Sequence, residues 1–425
     1  MRVLFLTKTP AGASSYLKND YPGCGWIAAL EEKIKADEDI ELGVCFFNND
    51  VAEFRFRLND VTYYPVNFAV QNNVDKIRSR ISYKLSDTNV QGVLKVIDDF
   101  RPDIIQLFGT ESGIGEALRY TDVPAIIHIQ GLVNPILSSW FPKGISQIDV
   151  IRNSSFKDLA FRTSLYNEYH VFCKKAIREE AIIKQAKYFF GRTNWDKQVI
   201  GLMNSGATYY HCDEVLRPAF YKAKWTQKPQ SELILMSVMN PSIYKGLDII
   251  LEAANLLKRY SNIKFEWRVY GMNAGNNVIR LFEKLKKKKF SDNNVQICGS
   301  KSEQQLMNCL LNADIYIHPS HIDNSPNSVC EAQMLGLPVI ATNVGGISSI
   351  IETEVNGLLY NSGDPFELVF LIKRLVKDAS LANKISRNAR EIAHERHHAP
   401  SIVSNIKESY RSMLNVTTQA DQYVI

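Results

Sequence analysis

HIDNSPNSVCE, residues 321–331, sets two acids eight positions apart, Asp323 and Glu331, around a Ser-Pro-Asn-Ser corner. The preceding ADIYIHPS is short and apolar, as a buried strand is, and the following AQMLGLPVIATNVGG reads as the rest of a helix, a turn and another strand. The acids therefore flank a strand-to-helix corner. Pro326 suits a first helical turn, where its missing N–H costs nothing. Ser325 is the expected cap, and the helix is expected from Asn327.

Working outward, the same alternation runs along the whole chain. RVLFLT, IELGVCFF, PDIIQLFG, PAIIHIQG and AKYFFG, then ELILMSV, FEWRVYG, NVQICG, DIYIHPS and PVIATN, are short runs rich in Val, Ile, Phe or Tyr, separated by longer amphipathic stretches. Parallel sheets with crossover helices follow. The polar, proline-bearing RPAFYKAKWTQKPQS at 217–231 separates the two series. The expected fold is α/β, two doubly wound Rossmann-like domains over 1–220 and 221–397, with 398–425 as a helix crossing back to the first domain and a tail frayed after Leu414. Ligands in such sheets bind beyond the carboxyl ends of the strands, which is where Asp323 stands.

Composition narrows the function. With 425 residues and 45% hydrophobic residues, the chain can bury two ordinary cores. A formal net charge of +5 with no arginine-rich arm argues against nucleic acid. The seven cysteines are scattered and form no C-x-x-C, as expected of reduced thiols rather than a disulfide framework or zinc ribbon. No apolar run reaches the roughly 20 residues of a membrane span, and MRVLFLTKTP reads as a first buried strand.

A helix N-terminus offers unpaired amides and the positive end of its dipole, so the corner at Asn327 and Ser328 is a candidate phosphate site. One turn on, Glu331 is placed to accept from a ribose diol. The spacing alone equally fits a loop acid and a solvated helix residue. Lys245, before Gly246 at the start of LDIILEAANLL, is a candidate point charge for a diphosphate, although lone lysines are more often solvated. Gly345-Gly346 is a tight turn into a helix, and glycine pairs are usually only turns.

Taken together, Lys-Gly, the acid-x7-Glu spacing, GLPVIAT and Gly-Gly, in this order among these strands, resemble the donor domain of the GT-B retaining glycosyltransferases of family 4 over most of 230–395. The resemblance implies two domains facing a central cleft. It also implies that Asp323 contacts the transferred sugar, that Glu331 holds the nucleotide ribose, and that backbone groups near Gly299 to Lys301 hold the base. Two departures stand out. DNSPN replaces the family's usual EGFPN, and Met239 and Asn240 stand where an arginine usually precedes the Lys-Gly lysine.

The first half is more divergent. In YPGCGWIAALEEKI, Gly23 and Gly25 occupy the place of a glycine-rich loop near the donor phosphate, though a plain turn reads as well. Gln130 in PAIIHIQGL stands where the family often has a histidine, and can orient a hydroxyl but not act as a base. His128, on the same strand face, is expected in the core. Glu111 and Arg192 follow strands and are acceptor-side candidates, Arg192 also being expected to pair with Asp196. His394, His397 and His398 are expected as solvated groups complementing a helix dipole rather than metal ligands, and KLKKKKF at 284–290 as a solvated helix end.

The resulting expectation is a retaining, metal-independent transferase in surface polysaccharide synthesis. It would move a sugar from a UDP- or GDP-sugar, a co-substrate rather than a cofactor, to a glycan or lipid-linked acceptor. The resemblance implies same-face attack, with the leaving phosphate taking the acceptor proton. The expected location is the cytoplasm, with a peripheral contact at the inner membrane face. Catalysis is expected from Asp323, Lys245 and Gln130. Two rivals use the same scaffold: a sugar-nucleotide epimerase, and a catalytically silent glycan-binding or partner subunit. A dinucleotide-dependent dehydrogenase is disfavoured because TKTPAG supplies no G-x-G-x-x-G after the first strand.

Overall fold

The computed structural model describes residues 1–14, 16–17, 25–67, 89–228 and 231–421, with side chains through residue 415. By packing, the chain divides into two units: 1–134 with 171–217 and 397–425, and 135–170 with 218–396. The helical segment 135–170 thus packs with the second unit, a grouping that chain position does not suggest.

In the first unit, alternation along the opening strand β1 (Arg2–Thr7) shows how the sheet is covered. Val3 and Phe5 face one layer, Leu4 and Leu6 the other, and all four are fully buried. Beside it lie β2 (Glu41–Phe47), β3 (Phe56–Leu58), β4 (Val61–Val66), β5 (Ile104–Phe108), β6 (Ala125–His128), β7 (Tyr188–Gly191) and β8 (Thr208–His211), in the order β3-β4-β2-β1-β5-β6-β7-β8. Every pairing is parallel except the short hairpin β3–β4, which closes one edge through Asn59 and Asp60, both at positive φ. The layer on Val3 and Phe5 contains α1 (Gly25–Ile34) and the C-terminal helix α15 (Ala399–Asp421), through Ile402, Ile406, Tyr410 and Met413. The opposite layer includes α2 (Val90–Phe100), part of α6 (Leu165–Gln185) and α7 (Asn194–Met203). The last helix continues to Asp421, past the fraying expected after Leu414.

The second unit is a parallel sheet in the order β11-β10-β9-β12-β13-β14. Its strands are β9 (Leu233–Val238), β10 (Phe265–Tyr270), β11 (Val295–Ile297), β12 (Ile315–His318), β13 (Val339–Thr342) and β14 (Leu358–Tyr360). One group of helices, α9 (Leu247–Tyr260), α10 (Asn277–Lys286) and α13 (Pro365–Lys377), packs together, with α4 (Gln147–Asn153) and the neighbouring α5 (Phe156–Ala160) against α10. The other group comprises α8 (Pro218–Lys222), α11 (Glu303–Leu311), α12 (Asn327–Leu335) and α14 (Ala379–Arg396). The 217–231 stretch, expected as a linker, is tied down in its described part: Trp225 is buried, and its indole N–H donates to the Ala313 carbonyl at 2.7 Å.

Candidate active site

The end of β12 is braced from both sides. Ser237 donates to the Ile317 carbonyl at 2.7 Å, and Thr342 donates to the Ser320 carbonyl at 2.6 Å, so both neighbouring strands hold the chain where it leaves the sheet. Four groups then converge on one carboxylate. Lys245 Nζ lies 2.6 Å, His318 Nε2 3.0 Å and Ser320 Oγ 3.3 Å from Asp323 Oδ2, and the Asn324 amide donates to Oδ1 at 3.1 Å. Burial opposes the charge on Asp323. The Lys245 ammonium and the His318 hydrogen bond overcome it and hold the carboxyl well below the usual carboxylate range. Burial likewise works against the Lys245 ammonium, but the Asp323 charge outweighs it and raises the lysine's pKa.

Glycine makes this convergence possible at two points. Gly246 has φ +80°, and a Cβ there would sit 2.0 Å from the Pro319 carbonyl oxygen. Gly345 has φ +52°, with its imaginary Cβ 2.0 Å from the Asp323 carbonyl oxygen, which also accepts the Gly346 amide at 3.1 Å. The Gly-Gly turn therefore seats the backbone of the acid. It leads into a short 3₁₀ helix, Ile347–Ser349.

The helix after the corner starts at Asn327 as its sequence predicts, but the expected Ser325 cap is not there. Pro326 is the N-cap, with no side-chain cap, and its carbonyl takes the amides of Val329 and Cys330. Asn327 and Ser328 precede those first bonds, so their amides stand at the positive end of the helix. Glu331 is buried one turn on. Tyr316, fully buried below, joins the cluster electrostatically: burial chiefly raises its phenol, the Glu331 and Asp323 charges add to this, and hydrogen bonds with Ser328 and the Val238 carbonyl oppose it. Asp323, Ser328 and Glu331 thus share one neighbourhood. Met239, where the resemblance would place an arginine, is buried and Asn240 is exposed.

Beside this corner, where β9 and β10 end, a cavity of about 480 Å³ is lined by Thr163, Leu165, Glu168, Asn240–Ser242 and Gly275–Asn277. Its polar groups are amides, hydroxyls and one carboxylate, with no cation. Gly299 follows β11, its carbonyl accepting the Gly271 amide at 3.0 Å, and Lys301 is exposed next to the Ser302 cap of α11.

In the first unit, Glu111 and Gln130 both border Gly109, at the ends of β5 and β6. A Cβ on Gly109 would lie 2.1 Å from Glu111 Oε2 and 3.6 Å from Gln130 Nε2. Glu111 Oε1 accepts the Gly131 amide at 2.9 Å, and burial raises its pKa against that bond. Arg192 is turned inward: Nε lies 3.4 Å from Glu214 Oε2, both side chains are almost wholly buried, and the guanidinium stacks over Trp26. Its backbone amide, at 3.0 Å, is what donates to Asp196. His128 is fully buried, with Nδ1 3.1 Å from Gln106 Nε2, and burial, helped by Arg192, pushes its pKa well below the ordinary histidine value. Gly25 opens α1 against Arg217, and Gly23 lies outside the described residues. Contrary to expectation, His397 is not solvated: it is fully buried, with Nδ1 2.9 Å from the Glu214 carbonyl oxygen.

Sequence reading missed three groups. His318 and Ser320 were hidden inside the strand-like ADIYIHPS, where their distance of five and three residues from Asp323 was the available signal. Glu31 holds the loop after β1, accepting from the Gly12 amide at 2.9 Å and the Tyr63 hydroxyl at 2.5 Å, and looked like an ordinary surface acid of an amphipathic helix.

Residues 221–392 match the family described as glycosyl transferases group 1. The amylovoran biosynthesis glycosyltransferase AmsK of Erwinia amylovora is 27% identical over 170 residues, covering 38% of this chain and 40% of that protein. The chain thus spans well under half the length of that curated relative. Among solved structures, sucrose-phosphate synthase of Thermosynechococcus elongatus superposes with a TM-score of 0.70 at 15% identity, covering 98% of this chain and 100% of that one. HepE of Anabaena, in complex with UDP-glucose, gives 0.67 at 16% identity, covering 97% and 100%. The fold is that of the GT-B glycosyltransferases, two Rossmann-like domains each built on a parallel sheet.

Proposed function

We propose that this protein is a retaining glycosyltransferase of family 4 that moves a sugar from a nucleoside-diphosphate sugar to a glycan or lipid-linked acceptor in surface polysaccharide synthesis. The observation that carries the reading is the corner itself: an ionised, lysine-paired acid beside the N-terminus of α12, with a second buried acid one turn into that helix. The match of residues 221–392 to group 1 glycosyl transferases supports it. So does HepE's fold, which carries UDP-glucose.

In this reading the donor diphosphate sits on the amides of Asn327 and Ser328 and draws on Lys245, Glu331 accepts from the ribose hydroxyls, and Asp323 accepts from a hydroxyl of the transferred sugar. Cleavage of the anomeric bond leaves charge on the diphosphate, so fixed N–H and ammonium donors there stabilise the transition state more than the ground state. The neighbouring cavity has no cation in its lining, which puts that duty on Lys245 and α12. No step calls on a metal ion. In the first unit, Glu111 and Gln130 border one point at the strand ends, and Gln130 orients an acceptor hydroxyl.

The test is incubation of the purified chain with UDP- and GDP-sugars and an acceptor panel, following nucleoside diphosphate release and product anomer by NMR. Release with retained configuration is expected, and Asp323→Ala should abolish it. An inverted product would contradict the retaining mechanism. Epimerised donor, or a donor left intact with every acceptor, would favour one of the two rivals.

A further inference from the structure

Helix α13 has two opposite faces that both carry large side chains. Leu368, Val369, Leu371, Ile372 and Leu375 are buried. On the outside, Phe366 and Phe370 are 67% and 63% exposed, far more than an aromatic ring needs to be on a surface with a packed helix beneath it. Steps of three and four residues carry the same stripe on to Lys373 and Lys377. Lys373 Nζ reaches the Tyr260 carbonyl at the end of α9 at 3.2 Å, which brings the exposed Tyr260 ring and the Arg259 guanidinium over it to the stripe.

We propose that this outward face of α13, with the end of α9, is a docking surface for an anionic lipid bilayer. Charge complementarity selects that occupant. Phe366, Phe370 and Tyr260 supply rings that settle at headgroup depth, and Arg259, Lys373 and Lys377 supply cations on stems that can lie along the same plane. The stripe itself contains no acid. The acids near it are spent on their own chain: Glu367 accepts from Asn361, Glu354 pairs with Arg374, and Asp364 and Asp378 accept amides at helix starts. The lysine-rich 284–290 run is a poorer candidate for such a contact. Lys286 and Lys288 pair with Glu252, and Lys289 pairs with Glu283. Among the described residues no helix is long and apolar enough to cross a membrane, so the contact is along the surface. The proposal does not depend on the activity assigned above.

The experiment is flotation of the full chain with vesicles of phosphatidylcholine alone or with 40% phosphatidylglycerol, at low and high salt. Binding to the anionic vesicles, weakened by salt, is expected. Phe366→Ser/Phe370→Ser and, separately, Lys373→Gln/Lys377→Gln should each lower partitioning by roughly tenfold or more, with unchanged melting temperature because all four side chains lie outside the core. No binding by the parent chain would overturn the proposal, as would equal binding by both variants or equal binding to neutral vesicles. A dimer in solution that only the phenylalanine variant breaks would show that a second copy covers the face instead.

Discussion

Lys245 Nζ and Asp323 Oδ2 lie 2.6 Å apart, joining the loop after β9 to the corner after β12. Side-chain exposures of 16% and 14% make this pair strong enough to order both loops yet open enough for a ligand to compete for the lysine. Lys245→Met should strand a mostly buried carboxylate, cost on the order of 3 kcal/mol in urea unfolding, and cut transfer by about 10²-fold or more. Asp323→Asn should spare more stability and remove transfer equally. If Lys245→Met keeps both stability and transfer, the pair has no part in the site.

The same pair predicts a flat pH response. Asp323 is depressed below 3.8 and Lys245 raised above 10.5, so its stabilisation is complete above the first ordinary value and below the second. Losses are expected only as pH falls from about 4 toward the depressed carboxyl value, or rises past about 10.5. A melting-temperature difference between parent and Asp323→Asn that drifts between pH 5 and 9 would show that the pair is not held as described.

Gly345→Ala tests how the acid is seated. The new methyl would meet the Asp323 carbonyl oxygen at 2.0 Å at a φ of +52°, so the turn must move and carry Asp323 with it. Expected are a stability loss of roughly 2 kcal/mol and a fall in kcat larger than any change in donor KM. Retained kcat would detach the Gly-Gly turn from the chemistry.

Glu111 should behave oppositely to Asp323. Its pKa is raised above 4.5, so the folded state holds its proton longer, and its contribution to stability is lost as pH rises through the folded value. Glu111→Gln keeps an acceptor for the Gly131 amide without the half-buried charge. Its melting temperature should therefore gain on the parent as pH rises from 4.5 toward neutrality. A parallel pair of curves would contradict the raised pKa of this half-buried acid.

Arg192→Met separates a structural from an acceptor-side role. With Glu214 left behind in the core, about 3 kcal/mol of stability should be lost. A variant as stable as the parent but weaker in acceptor KM would return Arg192 to the acceptor site.

Much of this was legible in the chain. All ten apolar runs became strands, because consecutive Val, Ile and Phe with glycine or proline at the end leave few alternatives. What escaped lay at the sheet edges or one strand in from them. VTYYPV was masked by Pro65, which is tolerated near the edge, and TYYH and LLY are too short to show a pattern. At the site, Asp323 and Glu331 could be found because their spacing is local, and Lys245 because a Lys-Gly pair opens a helix there. The partners of Arg192 and Glu111 could not, since Glu214 and Gly131 are brought to them only by the sheet. His397 misled for the same reason: an H-x-x-H at a helix end looks solvated until tertiary packing buries it.

The most direct test of the central claim is calorimetric titration of UDP, GDP and ADP into the parent chain and into Glu331→Ala. One nucleoside diphosphate should bind the parent. Loss of the buried carboxylate's ribose contact should weaken it by about 10- to 100-fold, the equivalent of a charge-assisted hydrogen-bonding group. If no nucleotide binds, or if Glu331→Ala binds as tightly as the parent, the corner after β12 is not a donor site.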